Sequence, residues 1–134
     1  MIKNEIRIVK ELTFEAAHYL PKYNGKCRAL HGHSYKLQIG IRGMVNSETG
    51  MVMDFGELKA IIKGLFIDAL DHSFLNENLL PFFPNECSTA ENMVMWLVDK
   101  LSKYFEQANQ SIKVDFVRLY ETATSYAEWR SGTC

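Results

Sequence analysis

The hydrophobic pattern of this chain changes period twice, from two to about 3.6 and back to two, and that order restricts the folds open to it. Residues 5–18 alternate, with Ile6, Ile8, Leu12 and Phe14 set against Glu5, Arg7, Glu11 and Thr13. Val9 and Lys10 interrupt the alternation and predict a bulge. Turn chemistry follows from Pro21 to Lys26, and a second strand is predicted from about His33 to Arg42. The period then lengthens. Asp54-Phe55-Gly56-Glu57 reads as an N-cap with a carboxylate three residues on. Phe55, Leu58, Ile61, Ile62, Leu65, Phe66 and Ala69 follow at helical spacing. The residues from Leu79 to Glu86, with Pro81 and Pro84, break the pattern. Ser88-Thr89-Ala90-Glu91 reads as a second capping box, ahead of a helix carrying Met93, Val94, Leu97, Leu101, Tyr104 and Phe105. Ile112 to Tyr120 alternates again, and Thr122 to Trp129 supplies a last strand after a tight connection. The predicted order is ββααββ. It describes one α+β domain over residues 1–134, an antiparallel four-stranded sheet with two helices on one face.

Composition narrows the function. The formal net charge is −1 with no long basic run, so neither a nucleic-acid partner nor a membrane surface is expected. Met1 to Glu5 leads straight into a strand pattern without an apolar core of signal-peptide length. Three cysteines, Cys27, Cys87 and Cys134, form no disulfide framework, and reduced thiols in a cytoplasm are the simplest expectation.

Three of the four histidines stand where one metal ion could collect them. His31 and His33 flank Gly32 at the start of the second strand, and residues two apart on a strand point to the same side. His18 closes the first strand. Three imidazoles without an obvious fourth ligand describe a zinc site with one position open, the catalytic pattern, although imidazole also suits iron, copper or nickel. Cys27, four residues before His31, has three readings: a nucleophile or base with an activated thiol, a fourth ligand that closes the site, or a small buried hydrophobe.

Five segments carry a resemblance. Phe14-Glu15-Ala16-Ala17-His18, Cys27 to Tyr35, Leu70-Asp71-His72, Thr89-Ala90-Glu91-Asn92 and Leu119-Tyr120-Glu121-Thr122 together resemble the 6-pyruvoyl-tetrahydropterin synthase superfamily. The three-residue gap between Cys27 and His31 is most like its bacterial 6-carboxytetrahydropterin synthase branch, which acts in queuosine and 7-deazaguanine biosynthesis. The resemblance implies the tunnelling fold, a Zn2+ ion held by His18, His31 and His33, and a pterin triphosphate substrate. It further implies a homo-oligomer, a hexamer built as a dimer of trimers, with active sites between subunits.

It also implies roles that compete with ordinary ones. Cys27 becomes a catalytic proton acceptor. Asp71 and His72, by default a helix-end cap or surface ion pair, become a relay that tunes the cysteine of a neighbouring subunit. Glu91, which a capping box alone would explain, becomes the carboxylate that anchors the pterin beside Thr89. Glu121, otherwise a surface carboxylate, contacts substrate or joins the relay. Lys22, Lys26 and Arg28 could meet a triphosphate or simply be solvated. The implied reaction converts 7,8-dihydroneopterin triphosphate to 6-carboxytetrahydropterin, acetaldehyde and triphosphate. Two rivals are a 6-pyruvoyltetrahydropterin synthase that stops at triphosphate elimination, and a non-catalytic zinc scaffold closed by Cys27.

Overall fold

In a computed structural model, which describes residues 3–78 and 87–132, the alternating segments pair as a long antiparallel hairpin, β1 (Glu5–His18) with β2 (His31–Met44). Their register runs unbroken from Glu5 opposite Met44 to His18 opposite His31. No bulge forms at Val9 and Lys10. Lys10 keeps its place opposite Ile39, on the side that Ile8 and Leu12 share, and only its half-burial marks it as out of character. The irregularity lies instead between Gly40 and Ile41, against β4 (Lys113–Thr122), which continues into β5 (Ser125–Arg130).

The sheet has five strands rather than four, in the order β3-β1-β2-β4-β5. The added strand, β3 (Ser73–Phe74), runs parallel to β1 beside Ala16 and Ala17. Two residues are too few to show a period, so the pattern could not announce it, and the sheet is mixed rather than wholly antiparallel.

Between β2 and β3 the chain forms α1 (Phe55–Ile62), a π-helical segment (Lys63–Ile67) and α2 (Asp68–Leu70). Asp54 caps α1 as expected, its Oδ1 accepting from the backbone N–H groups of Gly56 at 2.8 Å and Glu57 at 3.2 Å. Leu58, Ile62, Phe66 and Leu70, at intervals of four, are buried, whereas Phe55 is exposed. A short helix, α3 (Leu75–Asn78), follows β3, and α4 (Ala90–Ala108) precedes β4. The predicted interruption from Leu79 to Glu86 and the third cysteine, Cys134, lie outside the described residues.

Both long helices pack on one face of the sheet. Leu37, Ile39, Ile41, Val117 and Leu119 meet Leu58, Ile62, Phe66, Met93, Leu97 and Leu101 in a single core. The opposite face is polar and laced with side-chain pairs: Glu11 with Gln38, Glu15 with Ser34, and Glu128 with Arg118 and Arg130. There the ring of Phe116 covers Gly40 so closely that a Cβ at position 40 would come within 2.3 Å of it. Buried Asp115, the extra residue at the irregularity, is paired with Arg7. This architecture puts His18, His31 and His33 together at one end of the covered face.

Candidate metal centre and active site

The register alone assembles the histidines. His18 faces His31 across the hairpin, and Ala16 faces His33 one step inward. His18 is fully buried, and the other two are half-buried. Their ligating nitrogens all lie within 4.8 Å of one another.

Hydrogen bonds set the tautomers. His18 Nδ1 lies 2.9 Å from the Ser88 carbonyl oxygen and 3.1 Å from its hydroxyl. A carbonyl can only accept, so Nδ1 carries a proton, and in the neutral imidazole Nε2 is then bare. His31 is arranged alike, with Nδ1 2.7 Å from the Ala29 carbonyl oxygen. The two bare Nε2 atoms stand 3.0 Å apart. Two lone pairs at that separation repel unless a cation lies between them. His33 Nε2 adds a buried nitrogen with no hydrogen-bond partner, 3.5 Å from Glu121 Oε1.

Burial pushes the His18 pKa down to about 4, with the neighbouring imidazoles adding to the fall and the Ser88 carbonyl opposing it. Burial lowers that of His33 as well, against the pull of Glu121. Neutral imidazoles are the form that binds metal. Three nitrogen donors fit a zinc ion and leave it one position for a further ligand. Cys27 is not among these donors.

Cys27 lies in a 3-10 turn, Lys26–Arg28, in the loop between β1 and β2. Its thiol is free and half-buried, and its carbonyl accepts from Leu20 N–H at 2.8 Å, closing the loop. Lys22, Lys26 and Arg28 are exposed, and among the described residues none makes an ion pair. Asp71 and His72 follow α2. Asp71 Oδ2 sits 3.0 Å from His72 Nδ1, and the His72 side chain is 80% exposed. The Glu15 backbone N–H and the His72 contact hold the Asp71 carboxyl below its usual range. His72 borders a cavity of about 480 Å³ with Glu15, Gly32 and Ser34, on the uncovered side of the sheet. Among the described residues neither Asp71 nor His72 makes a hydrogen bond or ion pair with Cys27.

The second capping box is not formed as expected. Thr89, not Ser88, is the N-cap of α4, its hydroxyl accepting from Asn92 N–H at 3.2 Å. Ser88 is drawn into the core by His18. Glu91 thereby moves to the second helical position and is released from the capping role. It is exposed and lines a cavity of about 550 Å³ together with Met95, Glu121, Tyr126, Glu128 and Trp129. That volume falls within the range of small-molecule sites, and Glu121, which lines it, also stands 3.5 Å from His33 Nε2.

Comparison with known proteins gives this arrangement a relationship. The sequence profile of one family, described as 6-pyruvoyl tetrahydropterin synthase, matches residues 7–132. The chain belongs to that family. A 6-carboxy-5,6,7,8-tetrahydropterin synthase of Synechocystis sp. is 41% identical over 128 residues, covering 92% of each chain. One from Haemophilus influenzae is 35% identical over 143 residues, covering 92% of this chain and 98% of its own. Among solved structures, Caenorhabditis elegans 6-pyruvoyl tetrahydropterin synthase superposes with a TM-score of 0.81 at 27% identity, over 96% of each chain. The protein is thus an enzyme of the 6-pyruvoyl tetrahydropterin synthase family with its α+β fold. No helix among the described residues is long and apolar enough to cross a membrane.

Sequence reasoning missed two residues of this family member's site. Ser88 reads as a cap and instead fixes the tautomer of His18. Tyr35 reads as one more core residue in an alternating strand, yet its hydroxyl is buried without a partner. For Tyr35 the signal was its place two residues after His33; Ser88, 70 residues from His18 in sequence, carried none.

Proposed function

We propose that the protein converts 7,8-dihydroneopterin triphosphate to 6-carboxytetrahydropterin, releasing acetaldehyde and triphosphate, as a zinc-dependent lyase of queuosine and 7-deazaguanine biosynthesis in the cytoplasm. The observation that carries this reading is the set of three imidazoles converging beside a cavity walled by Glu91 and Glu121. The names of the bacterial relatives support the carboxy product.

His18, His31 and His33 would hold zinc, which when bound polarises the hydroxyls and developing carbonyl of the substrate side chain. Glu91 accepts the paired N–H donors of the pterin's 2-amino and N3 positions, a geometry that suits a carboxylate's two oxygens. Thr89 caps the helix turn that presents it. Glu121 reaches the substrate side chain from beside His33. Cys27 takes and returns protons at the side-chain carbons, and Asp71 holds His72 in the tautomer that serves the thiol. The pterin ring gains the electrons its side chain loses, and one water adds as the carbon–carbon bond breaks to give the carboxylate and acetaldehyde, so the conversion balances without an external oxidant.

A second reading ends at 6-pyruvoyltetrahydropterin; the family's name and the superposed nematode enzyme favour it. Mass spectrometry of products from the zinc-loaded protein and dihydroneopterin triphosphate separates them. Acetaldehyde formed in step with triphosphate is expected. Triphosphate without acetaldehyde would give the pyruvoyl reading, and neither product would sink both.

The relay we propose to act across subunits of a homo-oligomer, a hexamer formed as a dimer of trimers. The 80% exposure of His72, beside a cavity open to solvent that Glu15 and Ser34 also line, supports this. So do the open edges of β5 and of most of β1, which barrel formation would cover. Cys27→Ala and His72→Asn subunits, each inactive alone, should recover activity once mixed and exchanged, because mixed oligomers contain sites with both groups intact. With exchange verified by native mass spectrometry, activity no higher than that of the separate variants places the relay within one chain.

A further inference from the structure

Three polar groups at the metal centre have bonding capacity left over. Among the described residues His33 Nε2 is buried and has no hydrogen-bond partner, Glu121 stands 3.5 Å from it, beyond a good hydrogen bond, and the Tyr35 hydroxyl is buried with no partner. The first two have roles in the reading above. Tyr35 does not.

Its position is well defined. Tyr35 is fully buried on β2, two residues after His33 and on the same side of the strand. Its ring stacks on Phe14 at 4.8 Å and 9°, which locks the ring plane. It meets His33 edge-on at 5.5 Å and His18 at 6.3 Å. The pairing of Lys36 with Tyr120 sets Tyr35 on the next rung beside Glu121. A phenylalanine would stack and fill this volume equally well, and leaving a buried hydroxyl unpaired is costly. A phenolic hydroxyl can donate as well as accept, so it can serve a ligand oxygen.

We propose that Tyr35 is a positioning residue whose hydroxyl donates a hydrogen bond to the oxygen ligand that fills the open position of the three-histidine centre, between His33 and Glu121. The inference rests on the zinc centre of the proposed function but not on the pterin. It assigns the phenol the task of orienting whichever substrate oxygen the centre receives, since a donor fixed by stacking accepts only one direction of approach.

Tyr35→Phe separates this from a structural role. A hydroxyl without a protein partner stabilises nothing in the ligand-free state, so the variant should retain zinc and melt at or above the wild-type temperature. Acetohydroxamate, an oxygen-donor zinc ligand, should bind the zinc-loaded variant about tenfold more weakly in calorimetry, the loss of roughly one good hydrogen bond. Turnover of dihydroneopterin triphosphate should fall in kcat by a similar or larger factor. Equal hydroxamate affinity, failure of the wild type to bind hydroxamate, or a lowered melting temperature would each overturn the inference. Wild-type protein that shows the hydroxamate difference yet turns over no pterin would sink the proposed reaction and leave the role of Tyr35 standing.

Discussion

Replacing Cys27 with alanine should leave zinc bound and the fold intact, while turnover should fall by about 10²–10⁴-fold, the range for loss of a general acid–base group. The metal is expected to stay because the three-histidine donor set excludes the cysteine. The fold is expected to stay because Cys27 contributes to its loop through a backbone carbonyl, which alanine keeps. Zinc analysis and a thermal melt alongside the rate measurement make the outcome decisive. A variant that turns over normally makes Cys27 a packing residue, and one that loses zinc makes it a ligand.

Substitution of His31 by alanine has the opposite signature. Zinc content should drop far below one ion per subunit after dialysis, because two imidazoles make a much weaker site, with affinity lowered by more than the roughly 10–100-fold that loss of an outer-shell partner costs. The metal-free protein should suffer little. With both Nδ1 atoms tied to carbonyls, removing His31 also removes the lone pair facing His18 Nε2 at 3.0 Å. Elemental analysis of His18→Ala, His31→Ala and His33→Ala provides the test, and full occupancy in all three would refute the centre.

What could be read from residues alone follows their physics. The hairpin was legible because alternation over a long stretch admits few registers, and that register by itself brings His18 to His31. Only the bulge at Val9 and Lys10 misled: an exposed valine and a snorkelling lysine can trade faces without disturbing backbone pairing. β3 and the π-helical segment carry no periodic signature, the first for want of length and the second because one wide turn leaves the spacing of Leu58, Ile62, Phe66 and Leu70 intact. Ser88 and Thr89 are both good caps, and only the tertiary demand of a buried imidazole decides between them. The same tertiary demand moved Glu91 out of a capping role that local sequence would have given it. Tyr35 was hidden because a core aromatic and a positioning phenol look identical in a strand.

The dipeptide Asp71-His72 is strapped across one residue of β1. The Glu15 backbone N–H donates to Asp71 Oδ1 at 2.9 Å, and the Glu15 carbonyl accepts from His72 N–H at 2.6 Å. His72 is the one non-glycine with a positive φ, 57°, among the described residues, a conformation that costs about 1–2 kcal/mol for an L-residue. The strap holds that cost in place. Asparagine, which tolerates this conformation, therefore removes the imidazole with less disturbance than alanine. The imidazole takes its bearings from the backbone of the strand that ends in His18, through the Asp71 carboxylate that strand holds, rather than from a packed core. A group facing solvent thus has its attachment point fixed as firmly as that of a core residue, and a displacement of β1 at Glu15 would carry His18 and His72 together.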